Sequence, residues 1–351
     1  MKIAVKAYLD NNLGDDLMIT LMANRFPQHE FILYTKDSLI MESFKHIKNI
    51  VIKPNFTKED LTYIDAYVII GGSIFQLDSF IAQIRRLLHI NQLRKIRKRN
   101  IPIATIGCNL GPYCNNIGIK LTKFELKYND LVTVRDKYSY DLIKSFKKIK
   151  NFYLADDIVY NFIDNLHVNN KNGLGICAYR SLKFKENNLD NYNALAKIAD
   201  IYIEKTKKRV KLFAFDSGSE NDIAAAYYIY KLAEKKEYID IIPYISNQDE
   251  FLKEFKSVER MIAIRFHSAI LADIFRIPFL PIIYSNKMEN FLKDRGYTGI
   301  AIKTKNLNMN LNIDNIVNKI ILGEEIFNNF IKYKGNSKIH FDELEKLLKK
   351  I

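Results

Sequence analysis

The segment Met261-Ile262-Ala263-Ile264-Arg265-Phe266-His267-Ser268 gathers side chains that can bind anions and move protons. Apolar Met261 to Ile264 predict a buried parallel strand, and Ser268 is a suitable N-cap for a helix from Ala269 to Phe275. Arg265 and His267 then stand where a strand meets a helix N-terminus. If the chain stays extended through Phe266, alternation along the strand sends both side chains to one face. A guanidinium fork, a titratable imidazole and free backbone N–H groups would converge there, making a pocket for an anion with an acid beside it. The alternative is a core arginine with a surface histidine. The other five histidines, His29, His46, His89, His167 and His340, have no comparable placement, and His89 and His340 on helical or terminal stretches read as solvated.

Other strand ends carry further candidates. Asp10-Asn11-Asn12-Leu13-Gly14-Asp15-Asp16 follows a first strand and precedes a helix from Leu17 to Phe26. Gly14 lets the backbone turn, while side chains such as Asn12 and Asp15 either cap the helix or face a cleft. The loop lacks both the three-glycine dinucleotide fingerprint and the lysine of a P-loop, so neither NAD nor a Walker-type nucleotide site is indicated. Gly71-Gly72-Ser73 closes another strand, and Gly72 there serves either close backbone approach to a ligand or a tight turn. Val134-Arg135-Asp136 reads as a structural Arg-Asp pair. Asp156 and Asp157 offer a carboxylate base or a helix cap.

The elements that must position these residues alternate along the chain. Candidate strands are Ile3 to Tyr8, Phe31 to Tyr34, Tyr67 to Ile70, Ile103 to Ile106 and Leu131 to Val134. After the polar stretch Val168 to Asn172 the pattern restarts with Leu174 to Ala178, Val210 to Phe215, Ile239 to Pro243, Met261 to Ile264 and Phe279 to Ile283, with helical stretches between. Strands separated by helices imply parallel sheets with crossover helices. The expected fold class is therefore α/β, with two doubly wound Rossmann-like domains over residues 1–168 and 172–322, a cleft between them and a helical tail over 323–351. Ligands of such sheets bind outside the carboxyl ends of the strands.

Composition narrows the classes. The chain has 351 residues, 48% hydrophobic and 27% charged, which excludes disordered and collagen-like chains. Three scattered cysteines favour a reducing compartment, the cytoplasm, over a disulfide framework or a paired-cysteine zinc site. The longest apolar runs, near Ala66 to Phe75 and Ile277 to Tyr284, fall short of the ~18 residues of a membrane span. Lys6 and Asp10 interrupt the apolar positions at the start, so no signal-peptide core is expected there. A net charge of +14 favours anionic partners, unless it merely reflects a Lys-, Ile- and Asn-rich composition. The densest basic cluster, Arg85 to Arg99, lies on a stretch where Ile84, Leu87, Leu88, Leu93 and Ile96 suggest a helix. It presents either a solvated face or a face for peripheral contact with an anionic membrane, which would place the protein at the membrane's inner face.

Taken in order, the segments resemble the polysaccharide pyruvyl transferase family. The resemblance rests on Asn12-Leu13-Gly14-Asp15, Gly71-Gly72, Val134-Arg135-Asp136 with Ser139 and Leu142, Asp156, and Arg265-Phe266-His267 continuing to Pro278, Tyr284 and Lys287. It spans roughly residues 3 to 290, and Arg-x-His is its most specific part. It implies a two-domain architecture like that of B-type glycosyltransferases (GT-B-like), and transfer of the enolpyruvyl-derived group of phosphoenolpyruvate to sugar hydroxyls as a cyclic ketal. It further implies an N-terminal acceptor side, a C-terminal donor side, and Arg265 and His267 as donor-binding arginine and essential histidine. Arg180 matches another donor-binding arginine. Two positions depart from the family pattern: Ser73 stands where a third glycine is frequent, and Arg276 where a glycine is common.

The implied chemistry agrees with the residues. Phosphoenolpyruvate carries a carboxylate and a phosphate, to which two arginines, a helix N-terminus with Ser268, and Lys287 offer complementary charge. Protonated His267 is the general acid that makes C2 of the enol ether electrophilic, and Asp15 or Asp156 is placed to accept a hydroxyl proton. No cofactor and no metal is required, and no metal-ligand spacing occurs. The expected acceptor is a lipid-linked or nucleotide-activated sugar used in cell-surface polysaccharide synthesis. Rival readings are a glycosyltransferase of the same architecture using a nucleotide sugar, and a non-catalytic glycan- or nucleic-acid-binding protein, although no nucleic-acid motif is present.

Overall fold

Every strand of the two main sheets runs parallel to its neighbours, as the alternation of short apolar runs with helices requires. The computed structural model describes residues 1–182, 188–328 and 336–351. Contacts divide the chain into two compact units, the first made of Met1–Leu9, Asp15–Phe162 and the closing segment with the last helix. The second consists of Asp10–Gly14 and the stretch that opens at Ile163.

The first unit is a seven-stranded sheet. Its elements are β1 Lys2–Lys6, α1 Leu13–Arg25, β2 Glu30–Tyr34, α2 Ser38–Phe44, β3 Ile50–Lys53, β4 Ala66–Ile70, β5 Phe75–Leu77, α3 Phe80–Arg97, β6 Ile103–Cys108, β7 Leu110–Tyr113, α4 Asn116–Leu126, β8 Leu131–Val134, α5 Lys137–Ser145 and β9 Phe152–Leu154. Strand order is β3-β2-β1-β4-β6-β8-β9, with β5 and β7 paired separately. Residues of β4 and β6 are buried without alternation, because helices cover both faces of a parallel sheet.

The second unit repeats the plan with β10 Leu174–Ala178, α6 Asn188–Thr206, β11 Val210–Ala214, α7 Asp222–Leu232, β12 Ile239–Pro243, α8 Gln248–Lys256, β13 Arg260–Ala263, α9 Phe266–Ile274, β14 Phe279–Ile283, α10 Asn286–Asp294, β15 Ile302–Lys303 and α11 Ile313–Leu322. The order β12-β11-β10-β13-β14-β15 places the topological switch between β10 and β13, where ligands of such sheets are received.

Four boundaries differ from those the sequence suggests. The polar stretch at 168–172 lies inside the second unit, because polarity marks exposure and not the point where contacts change partners. The 323–351 region is not one helical tail. Phe327 exchanges backbone hydrogen bonds with Phe279 of β14, at 2.8 and 3.0 Å, and the helix α12 begins only at Ile339 and runs to Leu348. That helix buries Phe341, Leu344 and Leu348 in the first unit, against β6 and β8. Finally, α1 and α9 start earlier than expected, at Leu13 and Phe266, so Gly14 and His267 occupy first helical turns.

His89 and His340, expected as solvated, are both buried. His89 reaches a buried Glu125 carboxylate at 2.9 Å, and the His340 ring bridges the Thr133 hydroxyl, at 2.6 Å, and the Asp156 carbonyl. Each finds a polar partner that makes burial tolerable.

Candidate active site

The carboxyl ends of β10, β11, β13 and β14 bring one set of polar residues together within the second unit. Strand β13 ends at Ala263 and Arg265 is the N-cap of α9, with extended backbone but no capping side-chain bond. Extended geometry therefore does not persist through Phe266, and strand alternation does not align Arg265 with His267. Ser268 is not the N-cap either. It is fully buried in the first turn, and its hydroxyl donates back to the Arg265 carbonyl at 2.6 Å.

Arg265 is buried and paired. Its Nε and Nη2 donate to the two oxygens of Asp222 at 2.8 and 2.5 Å, and Nη1 donates to Glu220. The guanidinium also lies over the Tyr179 ring, 4.7 Å from its centroid, and Tyr179 packs against Tyr284. Asp222, fully buried, is a fixed partner, whereas the Glu220 side chain is one-third exposed. The guanidinium is therefore a charge already compensated by carboxylates from the loop after β11 and the start of α7. Arg180 follows Tyr179 at the end of β10; its N–H donates to Asp222 at 3.2 Å and its side chain is half-buried. Lys287, also half-buried, sits in the first turn of α10 beyond Tyr284.

His267 is seated on Gly14. A Cβ built on Gly14 would fall 1.7 Å from Nδ1 of the imidazole and 2.2 Å from its Cγ, so the ring fills the space a side chain would need. Asn12 Oδ1 accepts from the Gly14 N–H at 3.1 Å, a capping bond for α1. The segment Asp10–Gly14 is in turn stitched to the loop after β11: Leu13 N–H donates to the Phe215 carbonyl at 3.0 Å, Ser217 N–H to the Asn11 carbonyl at 3.3 Å, and Ser219 N–H to the Asp10 carboxylate at 3.1 Å. Asn12 Nδ2 reaches Asp216 at 3.3 Å.

Asp216, like Asp222 and Glu220, is a residue that sequence reasoning missed. Fully buried, it also accepts from the N–H groups of Glu220 and Asn221. Burial pushes its carboxyl up to about 7, against the lowering effect of Arg265. The signal was available, because Phe215-Asp216 stands directly after a strand, at the kind of position singled out elsewhere.

Asp15 and Gly72 belong to the first unit. A Cβ on Gly71, whose φ of +123° is open to glycine, would approach the Asp15 carboxylate to 3.4 Å. One on Gly72 would strike the Arg135 guanidinium at 2.1 Å. Arg135 pairs with Asp157 at 2.6 Å and donates to Asn109 at 2.8 Å, and Asp136 caps α5 through Ser139 N–H at 2.8 Å. Asp156 exchanges hydrogen bonds with Asn336. The Cys108 and Cys177 thiols are pushed up to about 12 by burial, which leaves them unsuited to nucleophilic chemistry. Among the described residues no group of three His, Cys, Asp or Glu could hold a metal ion.

The model of the polysaccharide pyruvyl transferase family matches residues 12–286. No curated protein is matched by the chain. Among solved structures, the chain is similar to HepE of Anabaena in complex with UDP-glucose, with a TM-score of 0.63, 11% identity and coverage of 100% of this chain and 99% of that one. UDP-GlcNAc 2-epimerase of Neisseria meningitidis follows with 0.59, 12% identity and coverage of 99% and 100%. MurG of Acinetobacter baumannii gives 0.52, 10% identity and coverage of 100% and 99%. At such identities these likenesses establish the fold, an α/β architecture of two Rossmann-like units of the GT-B kind.

Proposed function

The chain belongs to the polysaccharide pyruvyl transferase family, and from that premise we propose that it transfers the enolpyruvyl-derived group of phosphoenolpyruvate to a sugar as a cyclic ketal. The observation that carries this reading is the seating of the His267 imidazole on Gly14, in the first turn of α9 beside Arg265. A titratable ring held at a helix N-terminus, next to arginines at a topological switch, suits a small polyanion that must be protonated.

In this scheme His267 delivers a proton to the methylene carbon, which becomes the methyl group, and C2 becomes electrophilic. One sugar hydroxyl adds to C2, phosphate leaves with the C–O bond electrons, and a second hydroxyl closes the ketal. Both hydroxyl protons go to bases, one of which is His267 once it has given up its own. Arg180, Lys287 and the N–H groups of α9 receive the anion. Arg265 joins them where an incoming phosphate or carboxylate replaces its exchangeable partner Glu220, while Asp222 keeps the guanidinium in place. No cofactor or metal enters these steps. The acceptor is a lipid-linked or nucleotide-activated sugar; HepE and the epimerase are folds of this kind described with UDP-sugars.

Incubation with phosphoenolpyruvate and a panel of such acceptors should release phosphate and add a pyruvyl ketal to the sugar, visible by mass. His267→Ala should remain folded and lose turnover. Phosphoenolpyruvate-independent transfer from a nucleotide sugar would replace this reading with glycosyl transfer.

A further inference from the structure

Helix α3 is built inside out over its first turns. Its inward residues there are polar: Arg86 holds both Glu125 oxygens at 2.9 Å and donates to the Ile74 carbonyl, His89 meets the same carboxylate, and Gln83 donates to Asn115 at 2.8 Å. Its outward residues are apolar. Phe80, Ile81, Ile84, Leu87 and Leu88 are 73, 63, 45, 52 and 69% exposed. Positions 80, 84, 87 and 88 share one face, which continues toward the helix end into exposed Arg94, Lys95 and Lys98, with Arg85 alongside. Helix α4, joined to α3 through Glu125, adds a row of exposed Ile117, Lys120, Phe124 and Lys127. Ile84, Leu87 and Leu88, which give the sequence its helical look, thus face outward, and a contiguous apolar surface of this kind marks an interaction site.

We propose that the α3–α4 face of the first unit docks on an anionic lipid bilayer. Phe80 to Leu88 enter the region beneath the head groups, and Arg85, Arg94, Lys95 and Lys98 lie on the lipid phosphates. The argument is charge complementarity around an apolar row, the pattern of a helix lying in a membrane interface. A second copy of the chain would bring like charges face to face on a protein of net charge +14, and a nucleic acid would leave the apolar row unused. The face contains none of the candidate site residues, so it stands apart from the proposed reaction.

The test is flotation of the full chain with phosphatidylcholine vesicles, with and without phosphatidylglycerol. Binding about tenfold tighter to the anionic vesicles, weakened by salt, is expected. Leu87→Ser with Leu88→Ser, and separately Arg94→Glu with Lys95→Glu, should each lower that binding about tenfold with unchanged circular dichroism, since all four side chains are exposed. The proposal is overturned if the wild type fails to float, if both vesicle types bind equally, if neither double variant weakens binding, or if the wild type is a dimer that Leu88→Ser dissociates.

Discussion

A methyl group on Gly14 would occupy the volume that the His267 ring fills, so Gly14→Ala must displace the imidazole or the first turn of α1. The backbone there is helical and alanine suits a helix, so the fold should tolerate the change. A ring moved by about 1 Å costs a reaction about 100-fold. We therefore expect Gly14→Ala to lower kcat about 100-fold while phosphoenolpyruvate affinity, measured by calorimetry, changes far less; wild-type kcat would show that the ring's seat does not matter. At this scale the sequence singles out Arg265 and His267 by residue type and strand-end position, and the structure puts them at the start of α9 rather than on one face of an extended strand. It was silent on Asp222 and Glu220, the partners that compensate Arg265, because they come from the start of α7 and the loop before it, 43 and 45 residues away, and ion pairing has no local pattern.

At the scale of elements, the buried central strands were legible because burial on both faces demands unbroken apolar runs. Among the elements that escaped are β3, whose residues are only half-buried, β5 and β7, which pair outside the main sheet, and β15, two residues long. At two to four residues each, they are too short to show a period. Arg276, where the family favours glycine, makes a separate point. It follows α9 with φ of +52°, a left-handed conformation that costs an L residue about 1 kcal/mol, and its side chain is exposed. Arg276→Gly should therefore raise stability by up to about 1 kcal/mol, moving the thermal midpoint upward by about 2–4 °C in a circular dichroism melt. A lower midpoint would mean that the arginine side chain contributes more than its backbone conformation costs.

Across the whole molecule, each unit is completed by chain from far away in sequence: Asp10–Gly14 is sewn to the loop after β11, and α12 returns to cover β6 and β8. Alternation of strands and helices predicts sheets, yet carries nothing about such returns, which is why the tail was misjudged in extent and His340 in environment. The return has a consequence for stability against pH. Burial between Thr133 and the Asp156 carbonyl lowers the His340 imidazole to about 4, below its ordinary 6.5. Between these values the unfolded chain binds a proton that the folded chain refuses, so this contribution is complete above about 6.5 and is lost as pH falls toward 4, by about 2–3 kcal/mol. Asp216 acts in the opposite sense, because a carboxyl raised to about 7 favours the folded state more as pH falls from 7 toward 4. The comparison that isolates His340 is therefore wild type against His340→Gln, whose amide can still meet both partners but does not titrate. Chemical denaturation at pH 7.5 and 4.5 should show the wild type losing about 2–3 kcal/mol relative to the variant. A constant difference across that range would mean that the imidazole protonates in place, and that α12 closes the first unit without excluding charge.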